Sequence, residues 1–185
     1  MIFGYYGSSI NDADEHDMLS RLMILVCALM LQACGTFAYT PTEYPLRSGL
    51  IPHLDVTGEV SITNAQSSNA PVFVYSYAGS KMSSNLQAIT EVMVQQSTRE
   101  LLKNGHIGNG APKSVKLKVN SLLSEYVVMY WKSKLQFEAT LGNGEIINLT
   151  VSHASGSLAQ DLNGCIAESV MELFKNEKVR VYLAN

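Results

Sequence analysis

Leu135, Phe137, Ala139 and Leu141 alternate with Gln136, Glu138 and Thr140, and after Gly142-Asn143-Gly144 the alternation resumes at Ile147, Leu149 and Val151. A period of two places the apolar set on one face of a strand. An Asn-Gly turn accepts positive φ cheaply and returns the chain as an antiparallel neighbour. This pair commits the chain to a sheet with one apolar face, and that face must be covered by another layer.

Two segments have the right pattern to cover it. Leu86, Ile89, Met93, Ser97 and Leu101 recur at three- and four-residue steps, and Ser84-Asn85-Leu86-Gln87 reads as a capping box. Lys103 suits a helix C-terminus, and Gly105 offers a left-handed stop, so the spacing predicts a helix over 85–104. Leu158, Leu162, Ile166 and Leu173 form a second stripe, preceded by Ser157-Leu158-Ala159-Gln160 and closed by Lys175.

Other strand signals surround these elements. Val56–Thr63 alternates loosely, and Pro71–Tyr77 is dense in β-branched and aromatic residues on both faces, as in a strand covered on both sides. Asn64–Ala70, Ala78–Ser84 and His106–Pro112 read as polar connections. Val115, Leu117 and Val119 alternate with polar residues. Leu122–Trp131 is apolar enough for a strand, a bend and the start of another strand. The tail Glu177–Leu183 fits either a short strand or a helical turn. The order is β-β-α-β-β-β-α. The expected fold is α+β, a two-layer sandwich with an antiparallel sheet and two amphipathic helices on one face.

The amino-terminal third is of another kind. Arg21 precedes an uncharged run from Leu22 to Leu31, and Ala33 stands directly before Cys34. A basic start, an apolar centre and a small-residue cut site describe a secretory signal peptide. The run is about half of the roughly 20 residues that a membrane span requires, and it has no polar stripe to suit a domain helix. Residues 1–17 hold Asp12, Asp14, Glu15 and Asp17 and no Lys or Arg, which is wrong for a signal start. Met18 is therefore the expected initiator, with 1–17 a start-site artefact or an extension of the n-region. The expected organisation is a signal over 18–33, a lipidated flexible tether over 34–55, and one domain over 56–185. The tether expectation rests on Thr36, Thr40, Pro41, Thr42, Pro45 and Pro52. Some twenty such residues, if flexible, would average about 25 Å end to end.

Loss of 1–33 leaves enough chain for one ordinary domain that folds without disulfides or metal. The formal charge of −3 for the whole chain falls near zero once Arg21 and the four leader acids are gone. Such a balance lacks the basic footprint of a nucleic-acid binder. Lys113, Lys116 and Lys118 are the one basic concentration, and on a strand Lys116 and Lys118 share a solvated face. Cys27 goes with the leader and Cys34 is the proposed lipid site. Cys165 is then left alone as a small core residue.

Catalytic signatures are missing. His153-Ala154-Ser155-Gly156-Ser157 lacks the order of a nucleophile elbow, and Gly105–Gly110 lacks the Lys-Ser/Thr of a phosphate loop. His53, His106 and His153 do not have zinc-ligand spacing, so no metal or cofactor is expected. Glu138 and Glu145 flank one hairpin at positions expected in solvent. Tyr126, Tyr130 and Trp131, with Val127, Val128 and Met129 between them, exceed what one strand face hides. They form either a second core face or a helix-covered strand, or else an exposed patch for a partner protein or lipid, which Phe73, Tyr75 and Tyr77 would extend if the sheet is covered on one side only.

The block VKLKVNSLLSEY, then WKSKLQFEATLGNGEIINLTVSHASG, then AQDLNGCIAESVMELFKNEKVRVYL is similar to the YajG family of small bacterial lipoproteins. The leader with Cys34 resembles the lipobox, whose cysteine is acylated and becomes the new N-terminus. The broad fold also resembles the auxiliary lipoproteins of lipid-transport ABC systems. The resemblance implies a Gram-negative envelope, no known active site, and Cys34 as the one residue carried over. Gly35 after the cysteine fits the pattern of outer-membrane sorting. The expected function is a non-enzymatic, lipid-anchored accessory protein facing the periplasm. It would bind the membrane through its lipid and another envelope component through its surface. The alternative is a lipid or small-molecule carrier with a cavity between sheet and helices.

Overall fold

The computed structural model describes residues 21–23, which are helical and exposed, and residues 35–185. Cys34, and the proposed leader apart from 21–23, lie outside the described residues. Thr36–Asn185 is one compact unit.

Its elements are β1 (Thr36–Ala38), β2 (Leu54–Thr57), β3 (Val60–Asn64), β4 (Pro71–Tyr77), β5 (Ser80–Asn85), α1 (Leu86–Asn104), β6 (Gly105–Gly108), β7 (Lys113–Val127), β8 (Tyr130–Leu141), β9 (Ile146–Ser155), α2 (Leu158–Lys175) and α3 (Glu177–Ala184). The main sheet runs β1-β5-β4-β7-β8-β9, with β3 also on β7, and β2 and β6 form a separate pair. The helices cover one face, so the expected α+β class holds.

The centre of the sheet is the antiparallel trio β7-β8-β9. Its inward residues Leu117, Leu135, Phe137 and Leu141 are fully buried against Ile89 and Met93 of α1 and Leu162, Ile166 and Leu173 of α2. The Gly142–Gly144 turn forms as expected. Gly144 takes φ +87°, and its N–H donates to Leu141 O at 2.9 Å.

The sheet is mixed, because β7 is long enough to serve two partners along one edge. Its first half pairs with β3 in parallel and its second half meets β4 in parallel. Between them β7 bulges at Val119–Ser121. Side chains satisfy the backbone left open there. Val119 N–H donates to Thr90 Oγ1 at 3.1 Å, and Val119 O accepts from Gln66 Nε2 at 2.8 Å. Buried backbone groups need such partners.

Several expectations are corrected. The segment 34–55 is no free tether over its described part. Thr36–Ala38 pairs with β5, and Tyr39, Ile51 and Leu54 join the core. Tyr39 Oη donates to Asn163 Oδ1 at 2.5 Å, Gln96 Nε2 donates to Tyr44 O at 2.7 Å, and Arg99 pairs with Glu43. The domain thus begins near residue 36 and not at 56. The strand expected over 56–63 is two strands. Gly58 turns between them with φ +79°, and a side chain there would strike the Ala111 backbone. Ala78–Ser84 holds a strand instead of a connection, and 106–112 contributes β6. The cap of α1 is Asn85, whose Oδ1 accepts from Ala88 N–H at 2.7 Å, and Gly105 is extended instead of left-handed. Pro71–Tyr77 is covered on one face only, since Phe73 is exposed on the other. The tail is helical.

Candidate functional site

The β7–β8 connection is a two-residue turn, Val128-Met129, with both residues at positive φ (26° and 79°). Hairpin geometry demands this hand of turn, and Asn-Gly meets it without strain. A β-branched residue such as Val is an outlier there. The turn is pinned by Met129 N–H donating to Tyr126 Oη at 3.1 Å. Val128 and Met129 are 80% and 83% exposed.

Behind this turn lies an aromatic row. Tyr126 and Trp131 are register partners on the helix-bearing face, with ring centroids 5.2 Å apart and an interplanar angle of 55°. Tyr77 at the end of β4 stands 5.4 Å from Tyr126 on the other side. These distances fall in the favourable range for tilted aromatic pairs. Phe37 on β1 shares the face through its partner Met82 and is itself exposed. Tyr130, the third residue expected in the patch, points to the opposite face, because successive strand residues alternate. It sits level with Val127 and is exposed. The sequence brought out Tyr126, Tyr130 and Trp131, with Phe73, Tyr75 and Tyr77 as an extension on a sheet covered on one side. Tyr77 joins the row through the parallel β4–β7 contact, while Phe73 lies exposed on the other face and Tyr75 is buried.

One pleat deeper, the row ends at a buried carboxylate. Asp161 in the first turn of α2 accepts hydrogen bonds at Oδ2 from Ser124 Oγ (2.7 Å) and Ser133 Oγ. A helix amino end favours a negative charge. Asp161 Oδ1 and Trp131 Nε1 have no hydrogen-bond partner among the described residues. Asp161 therefore fastens α2 to β7 and β8 directly below the aromatic row.

The groups that could do chemistry are occupied elsewhere. His153 Nδ1 lies 2.8 Å from Glu168 Oε2, while Ser155 Oγ donates to Gln160 Oε1 at 3.5 Å instead of meeting the imidazole. Cys165 is buried and donates to Val151 O at 3.8 Å. Burial, with Asp161 and Glu168 adding repulsion, pushes its thiol up to about 12. A neutral buried thiol is not a nucleophile. Burial likewise raises the Tyr39 phenol above its ordinary range, assisted by Cys165 and Asp161. Glu145 pairs with Lys178 at 2.7 Å, at the opposite end of the β8–β9 arms from the aromatic row. It lines a groove of about 510 Å³ with Lys113, Asn143 and Tyr182. Among the described residues, no group of three metal-ligating side chains comes together, and no helix is long and apolar enough to cross a membrane. Lys116 and Lys118 lie opposite Thr140 and Glu138 on the helix-free face.

No family model and no curated protein matches the chain. Among solved structures it is similar to a Helicobacter pylori homologue of neuraminyllactose-binding hemagglutinin, with 10% identity and a TM-score of 0.28, over 77% of this chain and 94% of that one. It is also similar to a Xanthomonas campestris protein of family DUF330, with 15% identity and a TM-score of 0.45, over 75% of this chain and 92% of that one.

Proposed function

We propose that the chain is a YajG-like, lipid-anchored accessory protein of a Gram-negative envelope. It is exported by its signal, acylated at Cys34 and held at the outer membrane facing the periplasm. There it binds another envelope component without catalysis. The observation that carries the binding role is the exposed Val128-Met129 turn with Tyr77, Tyr126 and Trp131 behind it. Aromatic residues with an apolar body and a polar edge are favoured at contact surfaces. The space between sheet and helices is filled by Phe137, Leu135, Ile166 and Phe174, so the carrier reading has no observation in its favour.

The anchoring part rests on the Arg21-to-Cys34 pattern. The test is metabolic labelling with a fatty acid. The wild-type chain incorporates label and loses its leader, whereas Cys34→Ala incorporates none and accumulates as precursor. Normal processing of Cys34→Ala would refute the anchored reading.

A further inference from the structure

We propose that the component bound by the aromatic end is the bilayer that holds the anchor, with Val128 and Met129 entering its headgroup layer. This deepens the proposed function and rests on its anchored reading.

Chain length limits how far the anchor can stand from the domain. β1 starts at Thr36, two residues after Cys34. Two residues reach about 7 Å at most. The twenty residues that would have given slack are packed on the domain instead. An acyl chain on Cys34 therefore holds the beginning of β1 at the membrane surface.

The sheet then determines what else lies there. Thr36 pairs with Lys81, one residue past the start of β5, beside the turn Ala78-Gly79. The residue before that turn is Tyr77, and β4 runs parallel to β7, so Tyr77 lies beside Tyr126 and the Val128-Met129 turn follows. The start of β1, the β4–β5 turn and the β7–β8 turn are all at one end of the sheet. The anchor and the apolar tip consequently emerge together.

The chemistry of that end suits a lipid interface. Tyr and Trp rings favour the headgroup level, where the ring body is apolar and the edge is wet. Lys81, whose Nζ lies 5.2 Å from the Phe73 ring centroid, and Lys132, opposite Glu125, stand on the other face of the same end. The turn keeps Val and Met at positive φ where Asn-Gly would sit without strain, and it leaves both side chains bare.

Trp131 is the chain's single tryptophan and reports on this end directly. The protein, purified as the cell produces it, is reconstituted into protein-free vesicles of phosphatidylethanolamine and phosphatidylglycerol, with acyl chains brominated near the headgroup or left unbrominated. Expected are co-flotation, a blue shift, and loss of Trp131 emission in proportion to the brominated fraction. In Val128→Ser/Met129→Ser, two fully surface positions, most of that loss disappears while the circular dichroism spectrum is retained. A protein that floats but emits equally in both vesicles overturns the bilayer contact and leaves a protein partner for the same surface, with the anchored reading intact. Quenching unchanged in the double variant overturns the role of the turn. Failure to float overturns the anchored reading, and the bilayer contact falls with it.

Discussion

Thr90→Val tests how the sheet changes partners along β7. Threonine and valine have nearly the same shape, so the exchange removes one hydroxyl and leaves the packing of α1 in place. Thr90 is fully buried, and its Oγ1 accepts from Val119 N–H in the bulge, where Val119 is itself fully buried. Its donation to Leu86 O is dispensable, since that carbonyl belongs to the helix ladder. The cost is therefore that of stranding one buried N–H, about 2 kcal/mol within a range of about 1–3. For a domain of this size, about 2 kcal/mol lowers the melting temperature by roughly 4–8 °C. Thr90→Ser keeps the acceptor and loses only a methyl group, about 1 kcal/mol. Thermal and urea melts followed by circular dichroism measure both, with an unchanged urea slope showing that the native and denatured states are otherwise comparable. If Thr90→Val melts with the wild type, or no lower than Thr90→Ser, the side-chain seal of the bulge is energetically irrelevant and the account is wrong.

Two further outcomes follow from the described structure. The Cys165 thiol is raised from 9 to about 12 in the fold, so the native state holds its proton more tightly than the unfolded chain. Stability from this group is fully present below pH 9 and is lost as pH rises from 9 towards 12; urea midpoints across that window measure it, and native protein at pH 8 should resist iodoacetamide until denatured. Val128→Asn/Met129→Gly relieves the left-handed strain of the β7–β8 turn and should stabilise the domain by about 1–3 kcal/mol. A lower melting temperature for that variant would mean the turn is not strained.

The β8–β9 hairpin was legible because alternation and turn chemistry agree within twenty contiguous residues, and both covering helices were legible from their stripes. What escaped was long-range. Ser80–Asn85 has one apolar side chain, Met82, and becomes a strand because β1 and β4 flank it. Thr36–Leu54 has no period at all. It is fixed by Tyr39 on Asn163, Tyr44 on Gln96 and Glu43 on Arg99, partners 50 or more residues away. The aromatic site was half legible. Tyr126, Tyr130 and Trp131 stand out by their density, but Leu122–Trp131 has no clear turn residue, so the bend and with it the face of each side chain stayed open. Tyr77 was offered as an extension of the patch, and only the parallel β4–β7 contact sets it beside Tyr126.

The double duty of β7 also has a kinetic side. Both β3 and β4 are completed by a strand that begins some forty to fifty positions later, and β7 in turn needs β8. Ribosomes deliver the amino end first, so early strands must wait with unmet edges until the middle of the chain has arrived. A topology with such high contact order folds slowly. That delay leaves the edges of β3 and β4 open to other strands until β7 arrives, the interval in which a wrong pairing would form.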